Sequence, residues 1–546
     1  MSATLGFIVA MFVTMLLVPP LMILARRAGI VDVPDARKVH ATPIPRIGGL
    51  AMISGTVLPL LLWAPWTPQV LWFLAGVAVL AGFGLWDDRT PLDFRLKFVG
   101  QLLAIACVVG GADLLVRSLP LLGELPDWVA VPFTVFAMLG VINAINLADG
   151  LDGLAGGSSF ISVAGIAVLA FAVNDQTLLM LCTVVLGGIL GFLRFNTHPA
   201  QVFMGDAGSQ FLGFSLAVLV IMLTQHSNAS MSPVAALLLL GLPLVDTFLV
   251  MGQRVAEGRS PFKPDKNHIH HRLLGLGFAH YEAVTVIYLL QTLMVISGVL
   301  LRYESDWVLG LLFALICSGV LLLIGLASGT GWRAQQAGGF VWIERAAKWF
   351  ERVRGEGTLE RAASIHVVLA VPAVVAWSIA RVGQLPADTL VVLVVLLALA
   401  TGSLLWAGDR RPLGLVERLL ACILIIAALY HGSAPAGDVE PSRILYEVLL
   451  YGSVALANVA IYKLSRTNPF RINTMDFLVV FGVMGIPGLM SLLSLRENLA
   501  EVAAKALVLY YGTELVMANF ESRRLLIRGA LMGLLALFVL RGGLVA

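Results

Sequence analysis

Four short stretches of this chain hold side chains that could do chemistry, and each stands out against an apolar background. WDDR places Asp87 and Asp88 side by side. NAINLADGLDGLAGG, residues 143–157, spaces Asn143, Asn146, Asp149 and Asp152 three apart and ends in glycines. FNTHPAQVFMGDAGSQF carries Asp206, and DKNHIHHRLLGLG groups His268, His270, His271 and Arg272. Adjacent carboxylates repel, which favours a cation or a shared proton between them. Hard oxygens with few nitrogens suit Mg²⁺ or Mn²⁺ better than Zn²⁺, and Mg²⁺ commonly uses one or two carboxylates plus substrate phosphates. Taken singly, each stretch has a structural alternative: a solvated helix cap for Asp87–Asp88, a turn aspartate for Asp206, interfacial histidines for HIHH. Taken together they supply oxygen ligands, carboxylate bases, imidazoles and positive charge. That combination points to phosphoryl-type chemistry.

The elements that must position these groups are membrane helices. The chain has 546 residues, of which 59% are hydrophobic and 13% charged, whereas soluble domains carry about 25% charged residues. Its mean hydropathy is +0.92. Apolar runs of membrane-spanning length, about 20 residues, recur from residue 5 to residue 541. The expected fold is an all-α polytopic membrane helical bundle. Spans are predicted near 5–25, 48–64, 69–86, 96–112, 128–147, 154–173, 178–194, 211–224, 234–251, 283–301 and 307–328. About seven more follow, near 365–381, 388–406, 413–430, 444–462, 474–494, 504–519 and 525–541. The net charge of +3 is too small to imply nucleic acid. Cys107, Cys182, Cys317 and Cys422 lie singly within apolar runs and read as small core residues.

Charge decides which side the motifs face. The first loop carries Arg26, Arg27, Arg37, Lys38 and Arg46, the third Arg89, Arg95 and Lys97, and the ninth Arg254, Arg259, Lys263, Lys266 and Arg272. The loops between them carry only Arg117 and Arg302. By the positive-inside rule the odd-numbered loops are cytoplasmic. The N-terminal run has its charges after it rather than before it, so it reads as a retained first helix with its N-terminus outside. All four motifs then converge on the cytoplasmic membrane face. On a continuous helix Asn143, Asn146 and Asp149 form a stripe drifting by about 60° per step. Gly150 and Gly153 predict a helix break, which lets Asp149 and Asp152 project from a turn.

Residues 331–363 interrupt the pattern. Trp342, Ala346, Trp349, Phe350 and Val353 fall on one helical face, with Glu344, Arg345, Lys348, Glu351 and Arg352 on the other. This suits an amphipathic linker lying in the interface. It separates a domain at 1–330 from a C-terminal transmembrane domain at 364–546 with no motif of its own.

At the stretches HATPIPRIGG, WDDR with RLKFVGQ, NAINLADGLDGLAGG, FNTHPAQVFMGDAGS and DKNHIHHRL, the chain resembles the polyprenyl-phosphate N-acetylhexosamine-1-phosphate transferases (WecA-, TagO- and MraY-like). The stretches occur in the family's order over about residues 1–330, and the HIHHRL form is closer to the N-acetylglucosamine branch than to the MurNAc-pentapeptide branch. The resemblance implies transfer of an N-acetylhexosamine-1-phosphate from a UDP-sugar to undecaprenyl phosphate, with release of UMP, in the bacterial inner membrane. It further implies Asp206 and Asn146 as ligands of Mg²⁺ (or Mn²⁺) and Asp87 and Asp88 as the catalytic pair, acting as base or as organisers. Lys97, Asn143, Asp149, Asp152, His268, His270, His271 and Arg272 are implied to bind substrate. A homodimer is left open. The competing expectation is a transporter, which would place ionisable residues near the bilayer midplane rather than at span ends; for the C-terminal half a transport-like role stays open.

Overall fold

The computed structural model describes residues 2–32, 43–119, 123–258, 268–334, 358–407, 415–432, 441–464, 474–493, 499–519 and 524–544. The proposed amphipathic face at 342–353 lies outside the described residues. Among them eleven helices are long and apolar enough to cross a membrane, and strands are confined to two-residue hairpin arms. The chain is a multi-pass helical membrane protein.

Residues 1–337 together with 473–478 form one compact unit, and residues 338–472 with 479–546 form another. In the first, α1 (Ser2–Ala28), α2 (Gly48–Trp63), α3 (Pro68–Arg89), α4 (Phe94–Ala112) and α5 (Asp127–Ala148) precede α6 (Leu154–Ala172), α7 (Gln176–Asn196) and α8 (Gly205–Ile221). Then come α9 (Ala235–Leu240), α10 (Leu242–Ala256), α11 (Ile269–Gly275), α12 (His280–Leu300) and α13 (Asp306–Gly329). Helix α8 and its π-helical continuation form the central post: its apolar window is 100% buried, against 11% for α13. Lipid cannot drive helices together by the hydrophobic effect, so close backbone approach must do more of the work. Small residues on and around α8 allow it. A Cβ built on Gly84 of α3 would lie 2.3 Å from the Ala207 Cα, and one on Gly49 of α2 would lie 2.3 Å from the Gly208 nitrogen.

Two boundaries differ from the hydropathy reading. The apolar run at 234–251 is not one helix: Gly241, with φ 65°, separates α9 from α10, and Pro243 follows at the start of α10. The Gln291 side chain of α12 accepts the freed Leu242 N–H at 2.7 Å, so the break is satisfied inside the membrane. Hydropathy cannot see such a break, because the flanking residues are all apolar. Helix α8 likewise starts at Gly205, earlier than its apolar run, and this puts Asp206 in its first turn, where negative charge is favoured.

The second unit is also helical: α14 (Thr358–Ala380), α15 (Ala387–Ala407), α16 (Leu415–Gly432), α17 (Pro441–Leu464), α20 (Leu499–Asn519) and α21 (Arg524–Leu544). Between α17 and α20 in the chain lie the short helices α18 (Thr474–Val480), whose residues 474–478 belong to the first unit, and α19 (Ile486–Leu492), joined by one π-helical turn. The second unit's buried acids are paired. Arg528 Nε meets Glu417 Oε1 at 2.9 Å, Arg418 pairs with Glu514, and Lys505 pairs with Glu447. Unpaired charges in such surroundings would cost several kcal/mol each.

Candidate active site

The ends of α3, α4 and α8 bring three charged groups into direct contact. Lys97 Nζ, in the first turn of α4, lies 2.6 Å from Asp87 Oδ2 of α3 and 2.6 Å from Asp206 Oδ2 of α8. Asp87 spends its other oxygen on the Leu92 N–H at 2.7 Å, which fixes the α3–α4 turn. Asp88 does something different. Its Oδ1 accepts the Asp206 N–H at 3.0 Å and its Oδ2 the Ala207 N–H at 3.4 Å, so it anchors the start of α8. Neighbouring carboxylates on one helix end thus have separate duties: Asp87 faces Lys97 and Asp206, while Asp88 holds the backbone that carries Asp206.

This anchoring needs glycine at position 205. Gly205 has φ +68°, and a Cβ there would lie 2.5 Å from both Asp88 oxygens. Left-handed backbone costs a residue with a Cβ about 1–2 kcal/mol, and the clash would also displace Asp88. Gly205→Ala is therefore expected to lower stability by about 2–4 kcal/mol. Thermal unfolding in detergent checks this, and an unchanged midpoint would contradict the assigned role of Asp88.

The second wall is the turn between α5 and α6. Helix α5 ends at Ala148 and α6 begins at Leu154, so Gly150 and Gly153 do break the polar stripe. Gly153, with φ 81°, donates its N–H to Asn196 Oδ1 at 2.9 Å, and Tyr288 donates its hydroxyl to the Gly153 carbonyl at 2.7 Å. Asp152 Oδ2 accepts the Ala200 N–H at 3.1 Å and lies 2.7 Å from His198 Nδ1. The Asp152 N–H meets His280 Nε2 at 3.3 Å, and the His198 and His280 rings stack at 4.2 Å. These three side chains offer ligand atoms within 4.8 Å of one another. Asp152 Oδ2, His198 Nδ1 and His280 Nε2 are already engaged in hydrogen bonds, so the trio ties the turn to the 196–200 loop and to α12. Asp149 keeps access to water but is set among protein on most sides. Loss of surrounding water raises its carboxyl to about 7, helped by Asp206, Asp152 and Asp88 and opposed by Arg46.

The oxygens of Asp87 and Asp206 are of the hard type that suits Mg²⁺, and here they share the positive charge of the Lys97 ammonium. Asn146 offers an oxygen of the same hard type. Its Nδ2 donates to Ser209 Oγ at 2.7 Å, which leaves Oδ1, a carbonyl-type oxygen, as its remaining acceptor. Asn143 does not join the cluster: its amide donates to Gln101 Oε1 and to the Leu139 carbonyl, which ties α5 to α4.

The histidine loop forms the third wall. His268 and His270 are buried at the start of α11, and their rings stack at 5.8 Å. His271 lies against His270 at 4.2 Å, and Arg272 is held by Gln253 of α10. His270 Nε2 packs on the 149–153 turn, where a Cβ on Gly150 would come within 2.3 Å of it. Burial first, then the neighbouring His271, lower the His270 pKa to about 4, so its ring is neutral at pH 7. Among the described residues of this loop, the fixed positive charge comes from Arg272.

Sequence reasoning passed over two residues of the site. Arg46 of PRIGG follows β2 (Ile44–Pro45), which pairs antiparallel with β1 (Val31–Asp32) and runs beside Phe203; its charge acts on Asp88, Asp149 and Asp206. Asn196 of FNTH bridges the Gly153 N–H to the Val202 carbonyl. Both stand inside quoted motifs, so the signal was present but their partners are distant in sequence.

A bundle of membrane helices whose ends gather carboxylates, an ammonium, an amide oxygen and an imidazole loop brings together groups of the kinds that a phosphoryl-type transferase uses. The chain belongs to glycosyl transferase family 4, whose model matches residues 70–224 and so takes in Asp87, Asp88, Lys97, Asn146, Asp149, Asp152 and Asp206. It is 38% identical over 316 residues to the probable undecaprenyl-phosphate N-acetylglucosaminyl 1-phosphate transferase of Bacillus subtilis (strain 168), covering 57% of this chain and 88% of that one. It is 31% identical over 342 residues to the undecaprenyl-phosphate alpha-N-acetylglucosaminyl 1-phosphate transferase of Escherichia coli (strain K12), covering 61% and 91%. The Salmonella typhimurium (strain LT2) protein of that name is 32% identical over 341 residues, covering 60% and 90%.

Proposed function

We propose that this protein transfers N-acetylglucosamine-1-phosphate from UDP-N-acetylglucosamine to undecaprenyl phosphate, releasing UMP and initiating cell-envelope polysaccharide synthesis. The observation that carries the reading is the contact of Lys97 with Asp87 and Asp206 at the ends of three packed helices. A phosphate oxygen of the lipid attacks the β-phosphorus of the donor, and the bond from that phosphorus to the bridging oxygen breaks. Mg²⁺ held by Asp206 and Asn146 would neutralise charge on the diphosphate and align the attacking and leaving oxygens. Lys97 and Arg272 stabilise the negative charge that the reaction redistributes. Neutral His270 donates or accepts hydrogen bonds without adding charge. Asp87 orients Lys97 and Asp206, and Asp88 fixes the backbone beneath Asp206. Asp149 and Asp152, on the clasped turn, take the donor.

The test incubates purified protein, undecaprenyl phosphate and Mg²⁺ with a panel of UDP-N-acetylhexosamines. Lipid-dependent release of UMP, fastest with UDP-N-acetylglucosamine, is expected. Preference for the MurNAc-pentapeptide donor would move the chain to the other branch, and solute uptake into vesicles without UMP would support transport instead.

In this reading the protein spans the bacterial inner membrane with its site in the cytoplasm and its N-terminus outside. Single cysteines at Ala41 and Lys266, in a cysteine-free background, should resist an impermeant thiol reagent added to intact cells, whereas one at Ser230 should react. The reverse labelling would put the site on the wrong side for a cytosolic nucleotide sugar.

A further inference from the structure

Asp246 lies on α10, outside every motif that drew attention in the sequence, yet it is buried and engaged at both oxygens. Its Oδ1 accepts the Ile269 N–H at 2.8 Å, and its Oδ2 lies 2.9 Å from His268 Nδ1. The contact continues from there. His268 stacks on His270, with ring planes 11° apart, and His270 packs on Gly150. Behind Asp246, the start of α10 is fixed by Gln291, which accepts the Leu242 N–H and donates its own amide to Ser162 Oγ at 2.7 Å. A continuous chain of contacts therefore links α6 and α12 through the broken-helix segment to the histidine loop and the 149–153 turn.

We propose that Asp246 is a positioning residue for the transfer: it fixes the His268 ring with its proton on Nδ1 and holds the loop against the turn. With Nδ1 bound to Asp246, Nε2 is the one ring nitrogen that can exchange a hydrogen bond with a ligand. In the neutral form of the ring, the choice of tautomer thus decides whether Nε2 offers a lone pair or a proton. The catalytic part of this proposal rests on the transferase reading above; the Asp246–His268 link does not.

Asp246→Asn separates the two duties. The asparagine Oδ1 still accepts the Ile269 N–H, but its amide nitrogen now faces Nδ1, which must become an acceptor, and the ring proton moves to Nε2. In protein carrying ¹⁵N-labelled histidine, the His268 resonances are expected to show the Nδ1–H form in the wild type and the Nε2–H form in Asp246→Asn. UMP release is expected to fall at least about tenfold in kcat, with the KM for undecaprenyl phosphate and the thermal midpoint close to wild type. In a His268→Gln background the same substitution should add less than a twofold further loss, because residues that act through one another are not additive. An Nε2–H ring in the wild type would overturn the proposal even if the variant failed to fold. So would wild-type turnover in Asp246→Asn, or a full independent loss in the His268→Gln background. A wild type that shows the Nδ1–H ring but releases no UMP would overturn the transferase reading and leave the link standing.

Discussion

Asp206→Asn is expected to reduce turnover at least about a hundredfold while leaving the fold intact. The asparagine keeps the size and shape of the side chain but removes the charge that pairs with Lys97 at 2.6 Å. Asp206 sits in the first turn of α8, its own N–H is held by Asp88, and it faces the Lys97 ammonium. Metal-assisted charge neutralisation is worth several kcal/mol, and each 1.36 kcal/mol is about tenfold in rate. Asp87→Asn and Asp88→Asn should also be crippling, for different reasons: the first loosens Lys97, the second releases the start of α8. Asp93→Asn serves as the control. Asp93 is exposed at the N-cap of α4 and its side chain makes no capping bond, so its loss should be mild. Near-normal activity of Asp206→Asn at ordinary Mg²⁺ would contradict the assignment.

Lys97→Met should be comparably severe. It removes the one ammonium that touches both Asp87 and Asp206 among the described residues, and leaves two carboxylates facing each other without it. Removing one member of a partly buried pair leaves an uncompensated charge, at a cost that solvent screening keeps below the ~3–5 kcal/mol of a fully buried pair. The kcat/KM for UDP-N-acetylglucosamine is expected to fall at least about a hundredfold. Lys97→Arg should recover part of it, since the charge returns in a wider, planar group. Steady-state kinetics of the two variants read this directly. Equal loss in both would mean that shape rather than charge is what Lys97 contributes.

Much of this site was legible in the sequence because polar residues are conspicuous in so apolar a chain. Asp87, Asp206 and Lys97 lie 119 residues apart at most, and it was the parity of the loops that placed them on one membrane face. The glycines after Asn146 gave the turn that projects Asp149 and Asp152. What stayed hidden was everything that depends on a distant partner. Asp88 reads in sequence as half of an acid pair, and the hydrogen bonds it accepts from the Asp206 and Ala207 N–H groups show that it also binds the α8 backbone. Asn143 shares the spacing of Asn146, yet the packing of α5 on α4 turns its amide to Gln101. Gly241 lay inside an apolar run, so the break that places Asp246 left no trace in hydropathy. The division between the units shows the same limit. A composition change marks the region near residue 331, but nothing in sequence would join 473–478 to the first unit, where Phe477 meets the ring of Tyr288 at 5.7 Å.

The most direct measurement follows the donor's β-phosphorus. UDP-N-acetylglucosamine labelled with ³²P at the β position is mixed with purified protein, Mg²⁺ and undecaprenyl phosphate, and the organic and aqueous phases are separated. Transfer of sugar-1-phosphate predicts that the label enters the lipid, in a product whose mass is that of undecaprenyl diphosphate N-acetylglucosamine, while the released nucleotide is unlabelled UMP. Label remaining in the aqueous phase as UDP, beside a lipid that has gained only the sugar, would contradict it.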